Sequence, residues 1–264
     1  MDAGDAHPPS IFKRIVCGVD GTPESLVAVR QTVRLQDADG VLYLAAVAPL
    51  AKAAHAGIAA PHAAELMQQE AEAALAGARA IAPSASEKLV NGEPVPVLLR
   101  EVEVEEATLV AVGSHGRGRA AGMLLGTVAA RMLRDAPCSV LVARGARDPE
   151  TWPRSVVAGI DGSAESAAAF SVARSVAERF GGSIRAVAAS GDQLDREAAQ
   201  EITNELEEQP GRAVDALAAA SDSADLVVVG SRGLHGLKAL GSVSERVAHQ
   251  ARSSVLVIRA GPGG

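Results

Sequence analysis

Two stretches of the chain occur twice. Residues 15–25, IVCGVDGTPES, return 141 positions later as residues 156–166, VVAGIDGSAES. Residues 128–144, VAARMLRDAPCSVLVAR, return 115 positions later as residues 243–259, VSERVAHQARSSVLVIR. Similarity at both ends of one unit means two tandem copies of a single domain. The second copy is 26 residues shorter inside. A length of 264 residues suits two domains of about 100–150 residues each. The copies are placed at residues 12–146 and 154–260. The polar stretch 147–153, with Pro149 and Pro153, is the linker.

Each copy alternates strand and helix signals. Residues 13–19 form a β-rich run that ends at Asp20-Gly21. Thr22 can cap a helix with Pro23 at its first position. Leu26, Val29 and Val33 then follow amphipathic helical spacing. The pattern predicts strands at 41–48, 88–91, 109–112 and 139–143, and helices at 61–81, 95–106 and 127–134. Short all-apolar strands between helices point to a mostly parallel sheet covered on both faces. The expectation is therefore two doubly wound α/β domains of five strands each, related by a pseudo-twofold. The last strands, around 140–142 and 255–257, are continuous apolar runs. In the second copy a short helix and then a weak strand near 202–206 are expected.

Composition narrows the function. The formal net charge is −7, which argues against a nucleic-acid or anionic-membrane surface. Aromatic residues are 2% of the chain, too few for stacking platforms on single-stranded nucleic acid. The longest apolar run, 41–51, ends at Lys52, short of the roughly 18 residues that a membrane span needs. The N-terminal ten residues lack the basic and apolar regions of a signal peptide, so the cytoplasm is the expected location. The two cysteines, Cys17 and Cys138, sit in apolar runs and read as buried, reduced thiols.

In a parallel sheet, ligands bind beyond the carboxyl ends of the strands, where strand order reverses. Asp20 follows the first strand of copy one. The fourth is followed by Gly113-Ser114-His115-Gly116-Arg117-Gly118-Arg119, and nine residues after Gly116 comes Gly126-Thr127 at a helix start. Glycines let backbone approach a ligand. A helix N-terminus favours an anion, and Arg117 and Arg119 add positive charge. Together these features are expected to form a phosphate cradle. The plainer alternative is that the glycines serve packing and Thr127 is only an N-cap. None of the four lysines stands in a GxxxxGK[ST] loop, and no GxGxxG follows the first strand. There is no GxSxG elbow and no HExxH. His55 and His62 lack metal-ligand spacing and read as solvated residues.

The pattern Gly113-x2-Gly116-x9-Gly126-Thr127, with Gly18-Val19-Asp20-Gly21-Thr22, resembles the universal stress protein family over nearly the whole chain. That resemblance implies ATP binding without a dedicated hydrolytic apparatus. It implies that Gly18 and Asp20 lie against adenine and ribose, and Val47 against adenine. The phosphates fall to Gly113, Ser114, His115, Gly116, Arg117, Gly118, Arg119, Gly126 and Thr127. The cofactor is then ATP, with or without Mg²⁺. A homodimer and the identity of any protein partner are left open.

In copy two the matching positions are Gly159, Asp161, Gly230, Ser231, Gly233, Gly241 and Ser242, with Gly236 inside the loop. That loop has seven residues between glycines where copy one has nine. Two fewer residues shorten an extended segment by up to about 7 Å, so weaker ATP binding or none is expected there. Two other classes remain. One is an enzyme of the adenine-nucleotide fold group, either a weak ATPase or an adenylating enzyme, although SGGxDS and HxGH motifs are absent and His115 and His235 stand at different offsets. The other is a scaffold that binds no nucleotide.

Overall fold

A computed structural model describes residues 11–115, 125–192, 194–231 and 243–259, with the backbone alone for 54–58. Within these residues the first half runs β1 (Phe12–Val19), α1 (Pro23–Leu35), β2 (Gln36–Ala48), a 3₁₀ segment (Leu50–Ala59), α2 (Ala60–Ile81), β3 (Ser86–Asn91), α3 (Pro94–Val104), β4 (Leu109–Gly113), α4 (Thr127–Asp135) and β5 (Ser139–Ala143). The second half runs β6 (Ser155–Gly159), α5 (Ala164–Phe180), β7 (Ser183–Ala189), α6 (Arg196–Ile202), β8 (Leu206–Gln209), α7 (Ala213–Ala220), β9 (Leu226–Gly230), α8 (Val243–Gln250) and β10 (Ser254–Ile258).

The ten strands form one sheet in the order β3-β2-β1-β4-β5-β10-β9-β6-β7-β8. Pairing is parallel within each half. The central pair alone is antiparallel, with Val255 opposite Val142, Leu256 opposite Leu141 and Val257 opposite Val140. The order is palindromic about that pair, which gives the pseudo-twofold. Because the halves point in opposite directions, the carboxyl ends of their strands lie at opposite ends of the sheet.

Two core layers flank the sheet, and each contains residues of both halves. One joins Leu35, Leu44 and Leu75 to Val176 and Leu256, and encloses Trp152. The other joins Val16, Met132 and Val140 to Leu217 and Val255. Both cysteines lie inside, unpaired. Burial pushes each thiol up to about 12, so both stay protonated and packed as hydrophobes.

Polar ties across the seam come in matching pairs. The Arg144 backbone N–H donates to Ser254 Oγ at 3.0 Å, and the Arg259 N–H donates to Ser139 Oγ at 3.2 Å. The Arg144 guanidinium donates to the Ala248 carbonyl of α8 at 2.8 Å. The Arg259 guanidinium donates to the Leu133 and Ala136 carbonyls at the end of α4. Each half thus supplies a cation to the negative end of the other half's last helix. Farther out, Arg179 pairs with Asp37 at 2.8 Å, and Arg34 stacks on Phe180 at 5.0 Å.

Two elements differ from their sequence expectation. The strand β8 occupies Leu206–Gln209 rather than 202–206. It is an edge strand, and its register is fixed by Glu207 bonded to the Arg185 guanidinium at 3.0 and 2.7 Å rather than by apolar alternation. The strand β2 starts at Gln36 rather than 41, through a register shift opposite Phe12–Arg14.

A shared sheet and shared cores make the two halves one cooperative unit. Leu256→Ala, at a fully buried seam position, is expected to cost about 2–5 kcal/mol. In urea, the fluorescence of the single tryptophan, Trp152, and the far-ultraviolet circular dichroism should move together. Two separated transitions would show that the halves unfold independently.

Candidate functional site

In the first half, strand order reverses between β1 and β4. A cleft of about 410 Å³ opens there. Its floor is Gly18 and Val19 at the end of β1 with Asp20 just after them, and Val112 and Gly113 ending β4. Val47 and Pro49 at the end of β2, Met67 and Ala71 of α2, and Leu98 of α3 make an apolar wall. Gly126, Thr127, Val128 and Ala129 present the start of α4, and His115, Lys52 and Glu70 add ionisable groups. Lys52 also pairs with Glu93 at 3.3 Å.

Asp20 shapes the entrance. Its Oδ1 accepts from the Thr22 N–H at 3.0 Å and from Thr22 Oγ1 at 2.5 Å. Gly21 between them sits at φ 79°, a left-handed conformation that glycine adopts without strain. The hydroxyl of Thr22 in turn accepts from the Ser25 N–H at 3.3 Å, so α1 is capped by its own side chain. The helix α4 is different. Its N-cap is Gly126, with no side-chain cap bond. Thr127 is the first helical residue and is exposed, not the N-cap. The orphan N–H groups of this first turn carry the positive end of the helix dipole, and they face the cleft. A bond of 2.7 Å from the Gly126 N–H to the Ser114 carbonyl ties this turn to the end of β4. Ser114 is buried, and its hydroxyl lies 2.9 Å from His115 Nδ1.

The glycines divide into two kinds. Gly113 lines the cleft, but a Cβ there would meet the Glu24 carbonyl carbon at 2.8 Å and the Ser25 nitrogen at 2.9 Å. Its missing side chain is filled by the first turn of α1, so this glycine serves packing. At Gly18 a Cβ would meet side chains alone, the end of Leu98 at 3.0 Å and Val112 Cγ1 at 3.4 Å. Gly116, Arg117, Gly118 and Arg119 lie outside the described residues.

The second half repeats this plan at the opposite end of the sheet, in a cleft of about 400 Å³. Gly159, Asp161, Gly230 and Ser231 all line it. Asp161 Oδ1 accepts from the Ser163 N–H and Oγ, as Asp20 does from Thr22. A Cβ on Gly230 would meet the Glu165 backbone at 2.5 Å, as one on Gly113 would meet that of Glu24. Gly233, Gly236, Gly241 and Ser242 lie outside the described residues. The described lining holds three carboxylates (Asp161, Glu165 and Asp192) and, among those residues, no Lys, Arg or His. It also includes Leu133, a residue of the first half.

Sequence reasoning missed Lys52, Met67, Glu70, Ala71 and Leu98 in the first cleft. Met67 and Ala71 are four apart on α2, so helical periodicity could have placed them together. Nothing local marks Leu133, which reaches its cleft only through the seam.

Fold and cleft together define a doubly wound α/β protein with a cleft at the switch point of each half. A model of the universal stress protein family matches residues 11–144 and 185–259. Universal stress protein Rv2005c of Mycobacterium tuberculosis is 36% identical over 209 residues, covering 67% of this chain and 69% of that protein. Universal stress protein Rv2623 of the same organism is 31% identical over 217 residues, covering 70% and 71%. The crystal structure of a universal stress protein from Archaeoglobus fulgidus superposes with a TM-score of 0.74 at 22% identity, over 95% of this chain and 97% of that one. The chain belongs to the universal stress protein family. No helix among the described residues is long and apolar enough to cross a membrane.

The packing role of Gly113 has a direct test. Gly113→Ala should destabilise the nucleotide-free protein by about 1–3 kcal/mol, because α1 must shift. An unchanged urea midpoint would mean that the glycine is needed only for a ligand.

Proposed function

We propose that the chain is an ATP-binding stress-response or signalling module of the cytoplasm, with little or no nucleotide turnover. The observation that carries this reading is the uncapped first turn of α4 at the switch point, directly beside an apolar wall. A purine fits the wall of Val47, Met67, Ala71 and Leu98. The first turn of α4, with Thr127 and the preceding loop, suits phosphate oxygens. Asp20 sits at the β1 end of the cleft, where a ribose hydroxyl could meet it and a triphosphate need not. Mg²⁺ could accompany the phosphates without changing this placement.

A binder is favoured over an enzyme of the adenine-nucleotide group by the state of Ser114. Its hydroxyl is buried against His115 instead of lining the cleft, a poor position for a nucleophile. It is favoured over a scaffold by the missing side-chain cap on α4, which leaves the N–H groups of that first turn for an anion. The second cleft is read as weaker for ATP or as not binding it. Its described ionisable lining is all acidic, which opposes a polyanion, and its loop is shorter.

The reading is tested by extracting nucleotide from the purified protein and by titrating Thr127→Asp with ATP. A carboxylate at this exposed position stabilises α4 by about 0.3–1 kcal/mol through the dipole. It also repels phosphate, and the loss of one charge-assisted bond, about 1.5–3 kcal/mol, lowers affinity about tenfold to a hundredfold. Preserved stability with lost ATP affinity is the expected result. Unchanged affinity, or no ATP bound by the wild-type protein up to millimolar concentration, would contradict it.

A further inference from the structure

The helix α4 touches both clefts. Thr127, Val128 and Ala129 at its start line the first, and Leu133 in its last turn lines the second. A nine-residue helix is a rod of about 13 Å, short enough to move as one body. Its far end is held to the second half by two kinds of contact. Arg134 Nη1 lies 2.9 Å from Glu245 Oε1, and both side chains are largely buried. The guanidinium of Arg259 binds the Leu133 and Ala136 carbonyls. Glu245 stands in the first turn of α8, the same turn whose Val243 and Ser244 line the second cleft.

The arrangement is one-sided. By the repeat, Arg134 corresponds to His249 and Glu245 to Ala130, so no ion pair can form at the symmetry-related position. Among the described residues lining the first cleft, none comes from the second half.

We infer that the second cleft is a composite site, walled by Leu133 and held in shape by the Arg134–Glu245 pair, and that occupancy of the first cleft is felt there through α4. An anion drawn to the first turn of α4 fixes the position of that rod. Its last turn then fixes the wall of the second cleft and, through the ion pair, the start of α8. Arg134 is a positioning residue in this scheme, since it acts on the second cleft through Glu245. Coupling of this kind is reciprocal, so a ligand in the second cleft must change ATP affinity in the first by the same factor. The inference rests on the reading of the first cleft as an ATP site.

Hydrogen exchange on the full chain separates the two ideas. ATP is added to saturate the strong site, as judged from each protein's own titration. An Ala216→Phe background fills the second cleft, so that direct binding there is excluded. The expected result is slowed exchange at the start of α4 and also in α8, the latter by about fivefold or more, the lower end of ordinary coupling between sites. In Arg134→Gln and in Glu245→Gln the slowing at α4 should remain while that at α8 is lost, and Arg134→Lys should restore it. Slowing at α4 with none at α8 in the wild-type pair, or equal slowing at α8 in both charge-removing variants, would overturn the coupling and leave the ATP reading intact. No slowing at α4 would overturn the ATP reading and the coupling with it.

Discussion

The antiparallel pairing of β5 with β10 decides most of what the rest of the molecule can do. Each half has a parallel sheet, whose last strand would otherwise present a bare edge of backbone donors and acceptors. Joining the two last strands buries those edges and makes one sheet of ten. It reverses the second half, so the two clefts face away from each other. It brings the end of each half's last helix beside the other half's last strand, where Arg144 and Arg259 meet carbonyls of the last helical turn and cap. It also merges the cores, so that neither half keeps a hydrophobic layer of its own. A single half in isolation would expose Leu141 or Leu256 along an open edge.

Within that frame, the difference between two helix starts sets the candidate site apart. The helix α1 is closed by Thr22, which is itself held by Asp20. The helix α4 begins at a glycine with no side-chain bond. One dipole is satisfied internally, and the other is turned toward the cleft. The same division runs through the glycines. Gly113 and Gly230 allow strand ends to sit hard against α1 and α5. The absence of a Cβ serves close helix–strand packing at these positions, and the opening of the cleft follows from that packing.

Much of this was legible in the sequence. The repeat revealed two copies, strand ends at Asp20 and Gly113 located the switch point, and Gly126-Thr127 marked the right helix start. The illegible parts depend on contacts between distant residues. The strand expected from residue 41 begins at Gln36, across QDADG, where Asp37 accepts from the Ile11 N–H at 2.7 Å and pairs with Arg179 of the other half. The strand β8 is too charged to show alternation, and its register depends on Arg185. Leu133 has an ordinary helical pattern, and only the seam turns it into a wall of the second cleft. The long helix α2, whose Met67 and Ala71 line the first cleft, replaces the seven-residue α6 of the second half. The 26 residues gained between copies therefore alter the cleft wall as well as the length.

Calorimetric titration of the intact chain with ATP tests the central claim most directly, because it counts sites and ranks them in one experiment. The account predicts one strong site per chain, retained when Ala216→Phe fills the second cleft and abolished when a bulky side chain, as in Ala71→Trp, fills the first. Two equivalent sites, or a strong site that is lost with Ala216→Phe and kept with Ala71→Trp, would contradict it.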